Sequence, residues 1–402
     1  MNKLIKNALE KLSDKFAKID EIALNNQAKV LRAFSQNKVA LRHFSGTSGY
    51  GYDDAGRDTL SNLVASIFNA ESAIASPLLA SGTHAITVAL FGLLRQNDVM
   101  LSITGEVYDT LQEVVLGKDV NSLADIGVKY EVISLLNDSF DSDKILNYIS
   151  TSVPRIIYIQ RSRGYEMRSA ISNDKIKDIV NKVRKVAPNI IVMVDNCYGE
   201  FVEELEPTDV GADIVVGSFI KNFGGGLAPS GGYIAGKNEL IKRISYRLTS
   251  SGIGQEVGSY AYGYKDFYQG IFLAPHVVAQ AVKITQLFSY VLSNLGYEVL
   301  PSPNQINYDI VCSIKFNNKD KLISFCQAIQ RISPIDSFVT PMPWAMPGYA
   351  DQVIMSAGCF IQGASIELSC DAPIKPPYVV YMQGGLTLEH GILALEEVLK
   401  TL

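Results

Sequence analysis

The chain has 402 residues, 47% hydrophobic and 19% charged, with a net charge of −5. That length is enough for two packed domains, and acidic and basic residues are interspersed, so no basic block marks a nucleic-acid or anionic-membrane surface. Five cysteines without paired ligand spacing and only four histidines give neither a disulfide framework nor a histidine-rich metal site, so no metal is expected.

Neither the N-terminal segment nor any later run reads as long and apolar enough to cross a bilayer, which predicts a cytoplasmic protein with no membrane partner. Along the first forty residues, Ile5, Leu9, Leu12, Phe16 and Ile19 step by fours and threes, which puts them on one helical face. Such a helix must cover that face on the body of the protein or on a second subunit. Residues 44–58 (FSGTSGYGYDDAGRD) form a loop rich in glycine and tyrosine, and a helix follows at 59–68. From residue 73, short apolar strands alternate with helices. The strands fall at 73–79, 99–103, 130–133, 156–159, 190–194, 213–217 and 232–235, with helices at 83–94, 110–116, 142–148 and 174–186. This alternation predicts an α/β fold with a mostly parallel seven-stranded sheet covered on both faces. A long helix is expected from Pro275 to Leu295. Beyond it, strands at 308–316, 353–357 and 364–369 and helices at 319–332 and 387–402 read as a smaller C-terminal α/β domain. The predicted boundaries are 1–58 for the N-terminal helix and loop, 59–285 for the large domain and 286–402 for the small one.

Ligands of such sheets sit beyond the carboxyl ends of the strands, where Ser81, Gln160, Asp195 and Ser218 all fall. Asp195 ends one buried strand, and Lys221 follows the next and precedes Gly224-Gly225-Gly226. A carboxylate and a lysine so placed suit pyridoxal 5'-phosphate (PLP). The lysine amine would condense with the cofactor aldehyde and later move protons, and the aspartate would keep the pyridine nitrogen protonated. Ser81-Gly82-Thr83 opens a helix after a strand, which reads either as a plain serine N-cap or as a phosphate cradle. There is no Walker lysine or GxGxxG here to suggest a nucleotide. Ser218 offers a further hydroxyl. Tyr108 is either a half-buried tyrosine or a ring stacked on the pyridine. Arg57, in the early loop with Tyr50 and Tyr52, is a phosphate or carboxylate clamp or a surface ion-pair partner. Arg161 and Arg163, at the end of a buried strand, suit recognition of the cofactor's phenolate oxygen or a substrate carboxylate.

Together these residues resemble the trans-sulfuration enzymes, which include cystathionine lyases and methionine gamma-lyase, in their aluminium-resistance-associated branch. The resemblance runs through GYGYDDAGRD (49–58), SGTHAI (81–86), YDTL (108–111), IQRSRGY (159–165), VDNCYGEF (194–201), GSFIKNFGGGLAPSGGYIAGK (217–237), MPGY (346–349) and SIELSCDAPIKPPY (365–378). It implies a fold type I PLP enzyme, transferase-like in fold. Lys221 matches the Schiff-base lysine, Asp195 the pyridine partner and Tyr108 the stacking ring. Gly82, Thr83 and Ser218 match phosphate binders. Tyr52 and Arg57 match a pair that reaches the phosphate of a neighbouring subunit, which implies a homodimer or homotetramer with shared active sites. Ile220 stands where the wider family has threonine, and the 365–378 block has no arginine for the substrate carboxylate. Lys375 is the nearest cation there, and Arg161, Arg163 or Arg247 are the other candidates. The implied activity is carbon–sulfur lysis of a cystathionine-, methionine- or cysteine-type amino acid by α-proton abstraction and β- or γ-elimination, with Lys221 as base and Tyr108 as proton donor. An aldolase, decarboxylase or racemase, or a PLP-binding protein with little catalysis, is the alternative.

Overall fold

The computed structural model describes residues 2–346 and 349–402. Pro347 and Gly348 of the MPGY block lie outside the described residues. Seven strands form the larger sheet: β1 (Ser72–Ser76), β2 (Val99–Ser102), β3 (Lys129–Val132), β4 (Ile156–Gln160), β5 (Ile191–Asp195), β6 (Ile214–Ser218) and β7 (Gly232–Gly236). Their order is β1-β7-β6-β5-β4-β2-β3, parallel from β3 to β6, with β7 antiparallel to both of its neighbours. Every residue of β4, β5 and β6 is buried. Helices cover both faces of such strands, so their sequences are continuous apolar runs rather than alternations. The register aligns Gln160 with Asp195 and Asp195 with Val216, which brings the carboxyl ends of three strands side by side.

Five further strands form a second, antiparallel sheet: β8 (Glu298–Leu300), β9 (Val311–Lys315), β10 (Val353–Ser356), β11 (Ser369–Pro373) and β12 (Val379–Gln383), in the order β10-β11-β12-β9-β8. The predicted strand at 364–369 is instead a turn and bend that enters β11 at Ser369. The Glu367 carboxylate accepts the backbone N–H groups of Phe360 and Ile361, at 2.9 and 3.0 Å, and this local bonding replaces a strand ladder. Strands β8 and β12 and helix Asn238–Leu248 were not among the expected elements.

The first forty residues form two helices, Lys3–Lys11 and Ser13–Gln36. Ile5 and Leu12 are buried in the core of the second sheet, Leu9 and Phe16 pack against that core, and Ile19 packs against the core beside the first sheet. The predicted stripe is thus covered within the chain. The long helix is Lys265–Asn294 and starts ahead of Pro275, which lies inside it. By length and composition this helix is apolar enough to cross a membrane, which corrects the reading of the sequence. In the fold, 78% of its apolar window is buried, and it contributes to the cores of both sheets.

Candidate active site

A cavity of about 460 Å³ opens at the carboxyl ends of β4, β5 and β6. Its wall includes Ser81, Gly82, Thr83, Tyr108, Asp195 and Ser218, and Lys221 lies among them. The loop carrying Lys221 is fixed by close backbone packing. Gly225 is left-handed (φ +55°), and a Cβ there would fall 2.3 Å from the carbonyl oxygen of Gly270 on the long helix. Only glycine meets both demands. The Lys221 Nζ donates to the Tyr198 hydroxyl at 3.0 Å and the Ser365 Oγ at 2.9 Å. Burial alone presses this amine toward its neutral form. Tyr198, Cys197 and the Asp371 carboxylate act the other way, and the net shift without cofactor is upward.

Asp195 is buried at the end of β5. Its Oδ1 accepts the Cys197 N–H at 3.1 Å, and its Oδ2 accepts the Tyr158 hydroxyl at 3.3 Å. Burial raises its pKa, while these two bonds and the charge of Lys221 act in the opposite direction. A buried carboxylate of this kind is suited to a cationic N–H partner. Helix Gly82–Leu93 points its N-terminus at the same cavity, with Ser81 as N-cap accepting the His84 N–H at 3.0 Å. That cap leaves the N–H groups of Gly82 and Thr83 without acceptors among the described residues. A Cβ on Gly82 would lie 3.1 Å from the Cys197 Sγ and 3.3 Å from the Ser218 Cβ, so glycine lets the helix end close on the strand ends. Unspent donors at a positive helix end, flanked by Thr83 and Ser218 hydroxyls, fit a phosphate group. The Tyr108 hydroxyl is 2.9 Å from the Thr83 Oγ1, and burial followed by the charge of Asp195 pushes its pKa well above the ordinary phenol value. Residues for each part of PLP therefore meet in one cavity.

The opposite wall comes from the second sheet. Asp371 of β11 accepts the Gln383 Nε2 of β12 at 3.2 Å. Burial lifts its carboxyl to about 6, against the pull of Gln383 and Lys221. Asp371, Gln383, Tyr198 and Ser365 were not singled out from the sequence, although Tyr198, Ser365 and Asp371 lie inside the quoted blocks.

The two arginines divide. Arg161 is fully buried, is not part of the cavity wall, and has its guanidinium engaged. It donates to the carbonyls of Ile171 and Gly199 and to the Asn196 Oδ1, at 3.1, 3.0 and 2.7 Å, and pairs with Glu203. Arg163 does line the cavity, but its fork is closed on Asp309 (3.2 and 3.0 Å) and on the Leu300 carbonyl (2.8 Å). These contacts explain both arginines as structural cations, in place of the anion recognition expected from the strand end. Lys375 lines the cavity and pairs with Asp351 at 3.1 Å. Arg57 is buried and donates to the Gly51 carbonyl and to Asp58, both at 2.9 Å, while Tyr52 is 63% exposed. Neither belongs to the wall of its own chain's cavity.

The sheet order and the cavity at the strand ends define a fold type I architecture, the fold of PLP-dependent transferases and lyases. The chain belongs to the methionine gamma-lyase family, whose model matches residues 1–402. It is 49% identical to an uncharacterized protein of Bacillus subtilis over 92% of this chain and 89% of that one. A Listeria monocytogenes structure, provisionally named a cystathionine beta-lyase involved in aluminium resistance, is 48% identical, with a TM-score of 0.97 and full coverage of both chains. A Clostridium novyi structure, named a carbon-sulfur lyase involved in aluminium resistance, is 46% identical, with a TM-score of 0.95 over 99% of this chain and 94% of that one.

Proposed function

We propose that the protein is a PLP-dependent carbon–sulfur lyase that acts on a sulfur-containing amino acid by β- or γ-elimination. The observation that carries this reading is the meeting of Lys221, Asp195 and the N-terminus of helix Gly82–Leu93 in one cavity. When bound there, the cofactor supplies a protonated ring that withdraws electrons and acidifies the substrate's α-proton. The Gly82 and Thr83 N–H groups and the Ser218 hydroxyl would hold its phosphate. Asp195 would accept from its pyridine N–H, and Tyr108 would hold its ring. In its neutral form the Lys221 Nζ would take the substrate's α-proton. Tyr108 keeps its proton at neutral pH, and its hydroxyl is the proposed donor to the departing sulfur. Thr83 aims that hydroxyl. Tyr52 and Arg57 lie outside the wall of their own cavity, which leaves them for a neighbouring subunit's phosphate in a shared dimer.

Purified protein is expected to be yellow, and borohydride should fix the label on Lys221. Lys221→Ala should abolish release of keto acid and thiol. Colourless protein that takes up no PLP, or a fully active Lys221→Ala variant, would end this reading. Tyr108→Phe should lower kcat for thiol release by about 100-fold or more while leaving PLP uptake intact. An unchanged kcat removes the hydroxyl from the proton path.

A further inference from the structure

A second recess, of about 260 Å³, is lined by Arg95, Arg243, Tyr246, Arg247 and Ser251 and shares no residue with the catalytic cavity. It sits where the end of helix Gly82–Leu93 meets helix Asn238–Leu248. Arg155 lies close enough to act on the charge of Arg243. Burial first, then Arg155 and Arg95, hold the Arg243 pKa below its ordinary value. Four guanidinium groups thus gather on a chain whose net charge is −5. Arg247, a candidate for the substrate carboxylate by sequence, belongs here and not at the catalytic wall.

Helix capping explains part of this cluster. Arg95 Nη1 donates to the carbonyls of Phe91, Gly92 and Leu94 at 3.2, 3.2 and 2.7 Å, and Arg243 Nη2 to Leu93 at 3.2 Å. Cations suit a helix C-terminus. Capping engages one nitrogen of each of these two arginines. Their other nitrogens, and the whole guanidinium groups of Arg155 and Arg247, have no acceptor or ion-pair partner among the described residues. Asp98 and Glu239 temper the charge of Arg243 from a distance, without an ion pair to it. Arg95, Arg247 and Ser251 are exposed and Arg243 and Tyr246 half-buried, so a bound oxyanion would replace water at these open forks and at the two hydroxyls.

We propose that this recess is a binding site for a small phosphate-bearing anion, held by Arg95, Arg243 and Arg247 with the Tyr246 and Ser251 hydroxyls. Guanidinium forks match phosphate oxygens in pairs. The volume is below that of a typical cofactor pocket and suits one or two phosphate groups better than a nucleotide. The site would lie at the other end of the helix whose N-terminus faces the catalytic cavity, 12 residues or roughly 18 Å away.

The test is calorimetric titration of PLP-loaded protein with inorganic pyrophosphate at constant ionic strength. PLP loading keeps the catalytic phosphate cradle filled. Wild type and Arg32→Gln, an exposed control with the same loss of charge, should bind saturably. Arg247→Gln, which removes no cap, and the Arg243→Gln/Arg247→Gln double variant should each bind at least about tenfold more weakly. Circular dichroism checks folding, and Arg247→Gln alone carries the test if the double variant does not fold. Absence of saturable binding to wild type overturns the proposal, as does equal binding by Arg247→Gln. A change of oligomeric mass in Arg247→Gln by light scattering would assign the arginines to a subunit contact and overturn it as well.

Discussion

Asp371→Asn should make the cofactor-free protein more stable at pH 8. The carboxyl is lifted from 3.8 to about 6, and that value already contains the favourable pull of Lys221 and Gln383. A raised carboxyl pKa means that the folded state holds the proton more tightly than the unfolded chain does. The stability it contributes is complete below the unfolded pKa. It falls as pH rises through the folded pKa and is fully lost above it. A shift of about two units amounts to at most about 3 kcal/mol, and water in the open cavity lowers this to roughly 1–3 kcal/mol. Asparagine fills the same volume without the charge. Urea unfolding of the two proteins should give the variant an advantage of about 1–3 kcal/mol at pH 8, shrinking by about half at pH 5. An advantage that does not change with pH, or a less stable variant at pH 8, would refute the assignment. The same variant should lower the pKa of Lys221, because the carboxylate raises it.

Two further substitutions test the frame around the lysine. Gly225→Ala places a Cβ against the Gly270 carbonyl in a left-handed residue. It should cost about 1–3 kcal/mol in urea unfolding and weaken PLP uptake, whereas a neutral outcome would mean that the loop is not wedged on the helix. Arg161→Met removes a buried charge from Glu203 and should cost about 3–5 kcal/mol while leaving the KM of the folded fraction unchanged. A rise in KM with little loss of stability would return Arg161 to the substrate.

The larger sheet was legible because its inner strands are buried on both faces and read as unbroken apolar runs. Polar residues that punctuate such runs, Asp195 and Ser218, therefore stand out as strand-end groups, with Lys221 just beyond. Arg161 and Arg163 stood out for the same reason. Their partners Glu203 and Asp309 come from distant segments, and nothing local separates a paired arginine from one waiting for a ligand. The second sheet was harder to read. Its strands are short, and the apolar stretch before Ser369 is spent on a turn tied to Glu367. The register that aims Asp371 at the cavity was therefore hidden, and with it the acidic wall. Burial of the long helix was equally hidden, because length and apolarity are the same for a core helix and a membrane span.

The Lys221 Nζ is tied to Tyr198, which follows β5, and to Ser365, which belongs to the segment entering β11. It is therefore a clasp between the two halves of the molecule as well as a reactive amine. Chemistry that engages this nitrogen gives up these two bonds, while Tyr198 with Ser365 and Arg163 with Asp309 go on joining the two halves. Pulsed hydrogen exchange at Ser365 and along β11 should follow the occupancy of Lys221, even though neither segment supplies the reacting nitrogen.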